Sequence, residues 1–188
     1  MARRSYGQHC ALARALDVVG ERWTLLLVRE LLAGPRRYKD LQAGLPGLGT
    51  NLLADRLKDL VGAGLVAHEA VEYRLTPRGL ELEHAVVALA RFGAPLLGER
   101  DPDELWRADW NVLALQYAFR PERARRLRCV IEYRIDDTSV QARLRDGTNE
   151  TSGAERWRPD LVVRADGETF LGVAGGTLDP GTAEDEGS

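Results

Sequence analysis

Apolar residues recur at helical spacing from the start of the chain. Leu12, Leu16 and Val19 share one stripe, which predicts a short amphipathic helix over residues 10–19, interrupted by Gly20. Residues 23–32 carry Leu25, Leu26, Leu27, Val28, Leu31 and Leu32, broken only by Arg29 and Glu30. This second helix is expected to be wrapped on most sides, and Gly34-Pro35 ends it. Tyr38 and Leu41 anchor a third helix over residues 38–43, and residues 45–49 read as a turn. The fourth helix, residues 50–63, sorts its side chains by face. Leu53, Leu57, Leu60 and Val61 fall together, and Asn51, Ala54, Asp55 and Lys58 fall opposite them. Gly62 and Gly64 weaken and end it.

A hairpin signal follows. Residues 65–67 and 73–75 read as antiparallel strands, with residues 69–72 as the tip. Thr76 and Pro77 suit the N-cap and first position of a further helix. Its apolar residues are Leu82, Val86, Leu89 and Phe92, and it is expected to stop near Ala94-Pro95. Three helices, a helix with one polar face, then a hairpin is the order that a winged helix-turn-helix requires. A recognition helix needs an apolar face for docking and a polar face for the major groove.

The residues suggest roles on DNA. Asn51 can bond an adenine edge, and Lys58 can reach a phosphate or a guanine. Asp55 would accept from a cytosine amino group or else repel phosphate. Arg56 lies on the flank, where binding a phosphate and bracing the bundle are equally open. Arg36 and Arg37 precede a helix, where backbone N–H groups also favour phosphate. The candidate DNA-binding set is therefore Arg36, Arg37, Tyr38, Thr50, Asn51, Ala54, Asp55, Arg56, Lys58 and Arg74.

Beyond residue 98 the pattern changes. Residues 99–104 read as a linker and residues 110–119 as a helix. Arg120-Pro121 leads into a second short helix. Strands are predicted at 129–135 and 140–144, with turns at Asp136-Asp137 and Asp146-Gly147. A further strand covers 161–163, and 167–175 includes a short helix. Residues 179–188 form an acidic tail expected to be disordered.

Charge divides with the elements. Residues 1–98 hold 13 Lys and Arg against 10 Asp and Glu, and residues 99–188 hold 13 against 19. The back half is expected to stay away from phosphates. Two cysteines in different domains, Cys10 and Cys129, argue against a structural disulfide and for a reducing, cytoplasmic home. The N-terminus has no apolar core of a signal peptide, and no run is long enough for a membrane span, so no membrane is expected.

The front half resembles the HxlR family of bacterial winged helix-turn-helix regulators. The residues that carry this are Cys10, Leu16-Asp17-Val18-Val19-Gly20, Arg22-Trp23, Arg29-Glu30-Leu31, Gly34-Pro35-Arg36-Arg37-Tyr38, Leu45-Pro46-Gly47, Leu53, Arg56-Leu57, Leu60, Gly64-Leu65-Val66 and residues 73–79. The resemblance spans residues 8–97. It implies a homodimeric transcription regulator with the fourth helix reading DNA. Family members often carry a Ser cap at the place of Gly49, so Thr50 is expected to cap one residue later. The acidic tip, with Glu69 and Glu72, argues against a strong wing contact. The resemblance would make Cys10 a redox sensor with Arg14 as helper. Taken alone, Cys10 reads as a small apolar residue at a helix start.

Residues 105–178 resemble a small sterol-carrier-protein-like domain. The residues that carry this are Phe119-Arg120-Pro121-Glu122, Tyr133-Arg134-Ile135, Pro159-Asp160-Leu161-Val162-Val163 and Gly175-Gly176-Thr177-Leu178. That resemblance implies an apolar ligand cavity. The chain stops before the final helix and strand of that fold, so the pocket is expected to be incomplete.

Other features read as plain structure. His9, His68 and His84 lack metal-ligand spacing, and no cofactor motif appears. Trp106, Trp110 and Trp157 read as core or interface, Cys129 as core, and the arginines of 123–128 as a solvated face. No nucleophile–base or paired-carboxylate constellation supports an enzyme. The expected fold is α+β, with a winged helix-turn-helix followed by a small domain with a mostly antiparallel sheet. The expected function is a sequence-specific DNA-binding transcriptional repressor, homodimeric, with an apolar ligand as candidate modulator. The competing class is a lipid-binding carrier whose helical region only dimerises.

Overall fold

The computed structural model describes residues 5–98, 101, 103–107, 110–152, 156–176, 178–179 and 181. The chain separates into two units, Met1–Val86 and Val87–Ser188. The division falls inside a helix, and of the expected linker 99–104, residues 99, 100 and 102 lie outside the described residues. Most of the acidic tail, residues 180 and 182–188, lies outside them too.

The first unit contains α1 (Ala11–Val19), α2 (Thr24–Leu32), β1 (Arg36–Arg37), α3 (Tyr38–Ala43), α4 (Thr50–Gly62), β2 (Val66–Glu69), β3 (Glu72–Leu75) and α5 (Pro77–Leu80). Its core is aliphatic: Leu27, Leu41, Leu45, Leu53, Leu57 and Leu60 are almost completely buried. Glu30 is also buried and pairs with Arg29 at 2.8 Å. A lone buried carboxylate would be costly, and the guanidinium compensates it. Trp23 does not begin α2. It stands before the helix with a left-handed φ of 78°.

Several caps shape this unit. The carboxylate of Asp40 accepts from the backbone N–H of Arg37 at 3.1 Å, closing the start of α3. Gly49 is the N-cap of α4, and Thr50 is its first helical residue. This corrects the expectation that Thr50 caps. The far end of α4 closes with two reverse bonds. The N–H of Gly64 donates to the Val61 carbonyl and that of Leu65 to the Leu60 carbonyl, with Gly64 at φ 70°. The Thr76 side chain accepts from the Gly79 N–H at 3.1 Å, and Pro77 sits at the start of α5.

The sheet of this unit has three strands in the order β1-β3-β2, all antiparallel. The β1 strand was not legible: two charged residues show no alternation. The tip of the hairpin is only Ala70-Val71, with Ala70 at φ 52°. The long helix expected after Pro77 is broken. At Leu82 the backbone bonds tighten to Gly79, and α6 (Glu83–Gly93) begins separately, ending in a 3-10 turn at Ala94–Leu96.

The second unit adds α7 (Asn111–Ala118), α8 (Pro121–Ala124), β4 (Arg128–Ile135), β5 (Thr138–Arg145), β6 (Thr148–Ser152), β7 (Leu161–Ala165) and α9 (Gly167–Gly175). Its sheet order is β6-β5-β4-β7, with only the β4–β7 pair parallel. The fold is therefore α+β with mostly antiparallel sheets. A helix layer covers one face of the sheet. Ala114, Leu115 and Tyr117 of α7 and Phe170 of α9 pack on Ile135, Val140 and Ala142, with Val87, Ala90 and Ala94 alongside. Cys129 is half-buried. The β6 strand is all polar (TNETS) and escaped periodicity. It is tied to α7 by Asn149 donating to the Leu115 carbonyl and Gln116 donating to the Thr151 hydroxyl.

Candidate nucleic-acid interface

The polarity of α4 becomes geometry in the structure. Leu53, Leu57 and Leu60 are buried, and Thr50, Asn51, Ala54, Asp55 and Lys58 are exposed. Val61 departs from the expectation. It is 40% exposed and turns from the core toward the hairpin. There it helps line a shallow groove of about 240 Å³ with Tyr38, Ala54, Leu57, Lys58, His68 and Tyr73. A 100° step per residue places Val61 at the edge of the apolar stripe, so either side was available to it.

Two of the ten candidate residues position others. The Tyr38 hydroxyl donates to the Thr50 carbonyl at 2.7 Å, fastening α3 to the first turn of α4. Arg56 turns back onto the bundle. Its guanidinium lies 2.9 Å from Glu21 and 3.5 Å from Asp59, and it donates to the Arg22 carbonyl. Of the two roles left open for Arg56, these contacts are those of a brace.

The wing carries its own charge pairs. Arg74 bonds Glu69 along the hairpin, and Arg37 lies 3.8 Å from Glu72. His68 and Tyr73 are opposed across β2 and β3, and their rings stack 4.1 Å apart. That stack stiffens the hairpin beside Lys58 and had no signal beyond the register of two short strands. Arg36 is half-buried in β1 opposite Tyr73, while Arg37 is exposed.

Cys10 is exposed at the N-cap of α1. Arg14, its expected helper, reaches Asp17 at 3.5 Å instead. Asp17 also accepts from the Tyr6 N–H at 2.8 Å and from the Ser5 hydroxyl at 2.9 Å. The Tyr6 N–H, foremost among these bonds, holds its carboxyl below the usual carboxylate range. This arm contact lay in the matched stretch 16–20 but nothing in the sequence announced the partner.

A helix with one buried apolar and one exposed polar face, fastened to a preceding helix and followed by a hairpin, defines a winged helix-turn-helix DNA-binding transcription regulator. Residues 18–101 match the model of the HxlR-like helix-turn-helix family. The chain is 33% identical over 98 residues to an HTH-type transcriptional regulator of Synechocystis sp., covering 48% of this chain and 73% of that protein. It is 33% identical over 104 residues to the HTH-type regulator YvaP of Bacillus subtilis, covering 52% and 83%. A regulator of Mycobacterium tuberculosis is 42% identical over 90 residues, but the match covers only 56% of it. The chain belongs to the HxlR-like helix-turn-helix family. Of the two classes left open by the sequence, it is the DNA-binding regulator. The family match ends at residue 101, so the residues beyond it take no identity from it. Among the described residues, no helix is long and apolar enough to cross a membrane.

Proposed function

We propose that the chain is a homodimeric repressor that reads its operator through the outward face of α4. The carrying observation is the division of that helix, with Asn51, Ala54, Asp55 and Lys58 exposed above a leucine face that is fully buried. Asn51 lies in the first outward turn and meets an adenine edge. Lys58, two turns on, meets a phosphate or a guanine. Arg37 supplies a phosphate contact in exchange for its distant Glu72.

A second copy would cover apolar side chains that each unit leaves in water. Leu12 and Leu16 on α1 are exposed, as are Leu89 and Phe92 on α6 and Leu96 and Leu97 after it. Two-fold pairing would place two recognition helices about one DNA turn apart. On this reading residues 1–98 bind DNA and dimerise, 99–104 link, and 105–178 form a sterol-carrier-like domain. The helix layer on one sheet face supports that last likeness. An apolar ligand would modulate the regulator in the cytoplasm, and exposed Cys10 is open to oxidation.

Asn51→Ala should weaken cognate binding by about 1–3 kcal/mol and leave binding to random duplex nearly intact. Arg37→Ala should weaken both alike, because a phosphate contact carries no sequence information. Mobility shifts on the two duplexes check this. If the variants cannot be told apart, α4 does not present the reading surface. Light scattering at micromolar concentration checks the dimer.

A further inference from the structure

We propose that the arginine pairs at the two ends of the helix-free face of the second unit's sheet bind the phosphodiester backbone of duplex DNA, as a sequence-independent contact additional to α4. This rests on the chain being a DNA-binding regulator.

Strand alternation decides which residues share that face. The odd-numbered residues of β4, with Ile135 among them, point to the helix layer, so Arg128, Val130, Glu132 and Arg134 point away from it. The register adds Arg145 opposite Arg128, Arg143 opposite Val130, and Arg164 beside Arg134. Five guanidinium groups thus share a face with two carboxylates, Glu132 and Glu150.

Two of the register pairs are like charges held side by side: Arg128 with Arg145, and Arg134 with Arg164. Directly opposed like charges destabilise a sheet. The carboxylates present relieve this only in part. Asp146 takes Arg128 at 3.0 Å, Glu132 takes Arg134 at 2.6 Å, and Glu150 takes Arg143. Among the described residues, the carboxylate on each pair bonds Arg128 in one case and Arg134 in the other. Arg145 and Arg164 are both exposed. Between the two pairs the face is covered: Glu132 and Gln141 are buried, the Gln141 side chain holds the backbone of residues 156–157, and the Arg143 guanidinium lies over the Trp157 ring at 4.6 Å.

The two arginine pairs sit six residues apart along β4, or about 20 Å at the usual strand rise. Backbone phosphates recur about every 3.4 Å along each DNA strand, so one strand can satisfy both pairs.

The acidic balance of the back half does not oppose this. Residues 105–178 hold 12 arginines against 11 carboxylates. The acidic excess belongs to residues 99–104, with four carboxylates and one arginine, and to 179–188, with four carboxylates. The expectation that the whole half repels phosphate treated a segregated charge as uniform.

The test uses the full-length chain and an operator selected by the wild-type protein from random duplex. That operator is presented in a duplex of about 20 bp and in one extended by random flanks to about 45 bp, and affinity is measured against salt. The double variant Arg145→Gln/Arg164→Gln should bind the long duplex about tenfold more weakly, with the log–log salt slope reduced by about two. Binding to the short duplex should not change. Arg145→Lys/Arg164→Lys should restore the slope, and circular dichroism of the glutamine variant confirms that it is folded. An unchanged slope on the long duplex overturns the proposal, as does an equal loss on both duplexes. Wild-type protein that selects no operator would overturn the reading of α4 and this inference with it. Specific wild-type binding with a slope indifferent to these arginines overturns this inference alone.

Discussion

Gly79→Ala should unfold the first unit at temperatures where the wild type is intact. A Cβ at this position would lie 2.0 Å from the Leu65 carbonyl oxygen and 3.0 Å from its carbonyl carbon. These are backbone atoms, and they cannot move cheaply. The Leu65 carbonyl accepts the Thr76 N–H at 3.0 Å, and the Leu65 N–H closes the end of α4. Relief would require breaking one of these bonds or expelling α5. Ordinary overpacking costs about 1–3 kcal/mol, and a fixed backbone clash should cost about 3 kcal/mol or more. In a unit of this size that lowers the melting temperature by about 12 °C or more. Gly62→Ala is the control. Its added methyl meets nothing within 4 Å, and it should melt at or slightly above the wild type. Near-equal melting of the two variants would show that the packing at Gly79 is looser than described.

Gln141→Leu should damage the second unit by a different route. Gln141 is buried in the middle of β5 and acts as a substitute strand for the segment beside it. Its Oε1 accepts from the Arg156 N–H at 2.9 Å and the Trp157 N–H at 3.0 Å, and its Nε2 donates to the Trp157 carbonyl at 2.9 Å. Leucine keeps the volume and removes all three bonds. Backbone groups left without partners near the interior cost about 1–3 kcal/mol each at most, so a total of about 2–4 kcal/mol is expected after relaxation. Amide exchange at Arg156 and Trp157 should accelerate strongly, while exchange in α4 should not change. Protected amides at both positions in the variant would mean that something other than Gln141 holds that segment.

These two sites show where the sequence was readable and where it was not. Helices α1, α2 and α4 were legible because apolar residues recur in each at helical spacing, with Gly or Gly-Pro after them. Thr76-Pro77 announced its cap for the same local reason. The outward face of α4 was legible because three buried leucines fix the rotation of the whole helix. Contacts set by distant partners were not. Nothing near Arg56 reveals Glu21, 35 residues away, and nothing near Tyr38 reveals the Thr50 carbonyl. Thr50 was misassigned as a cap because a glycine with extended backbone serves there without a side-chain bond. The break after α5 was missed because the apolar period continues across it. At the break Gly79 is buried against the Leu65 carbonyl, a contact that no local pattern announces. In the second unit, polar β6 and the parallel partnership of β4 with β7 depend on tertiary pairing.

Leu65 joins three elements through its backbone alone: the end of α4, the first strand of the hairpin and the entry to α5. Elements that share one residue's amide and carbonyl cannot swing against each other without breaking hydrogen bonds. On the proposed reading, α4 and the hairpin beside it would therefore approach DNA as a single stiff body. Where helix and operator are imperfectly matched, the duplex must bend or change groove width to fit. Selectivity should then extend to base pairs that no side chain touches, through the cost of deforming them. Flexible pyrimidine–purine steps beside the contacted bases would favour binding, and stiff tracts there would oppose it.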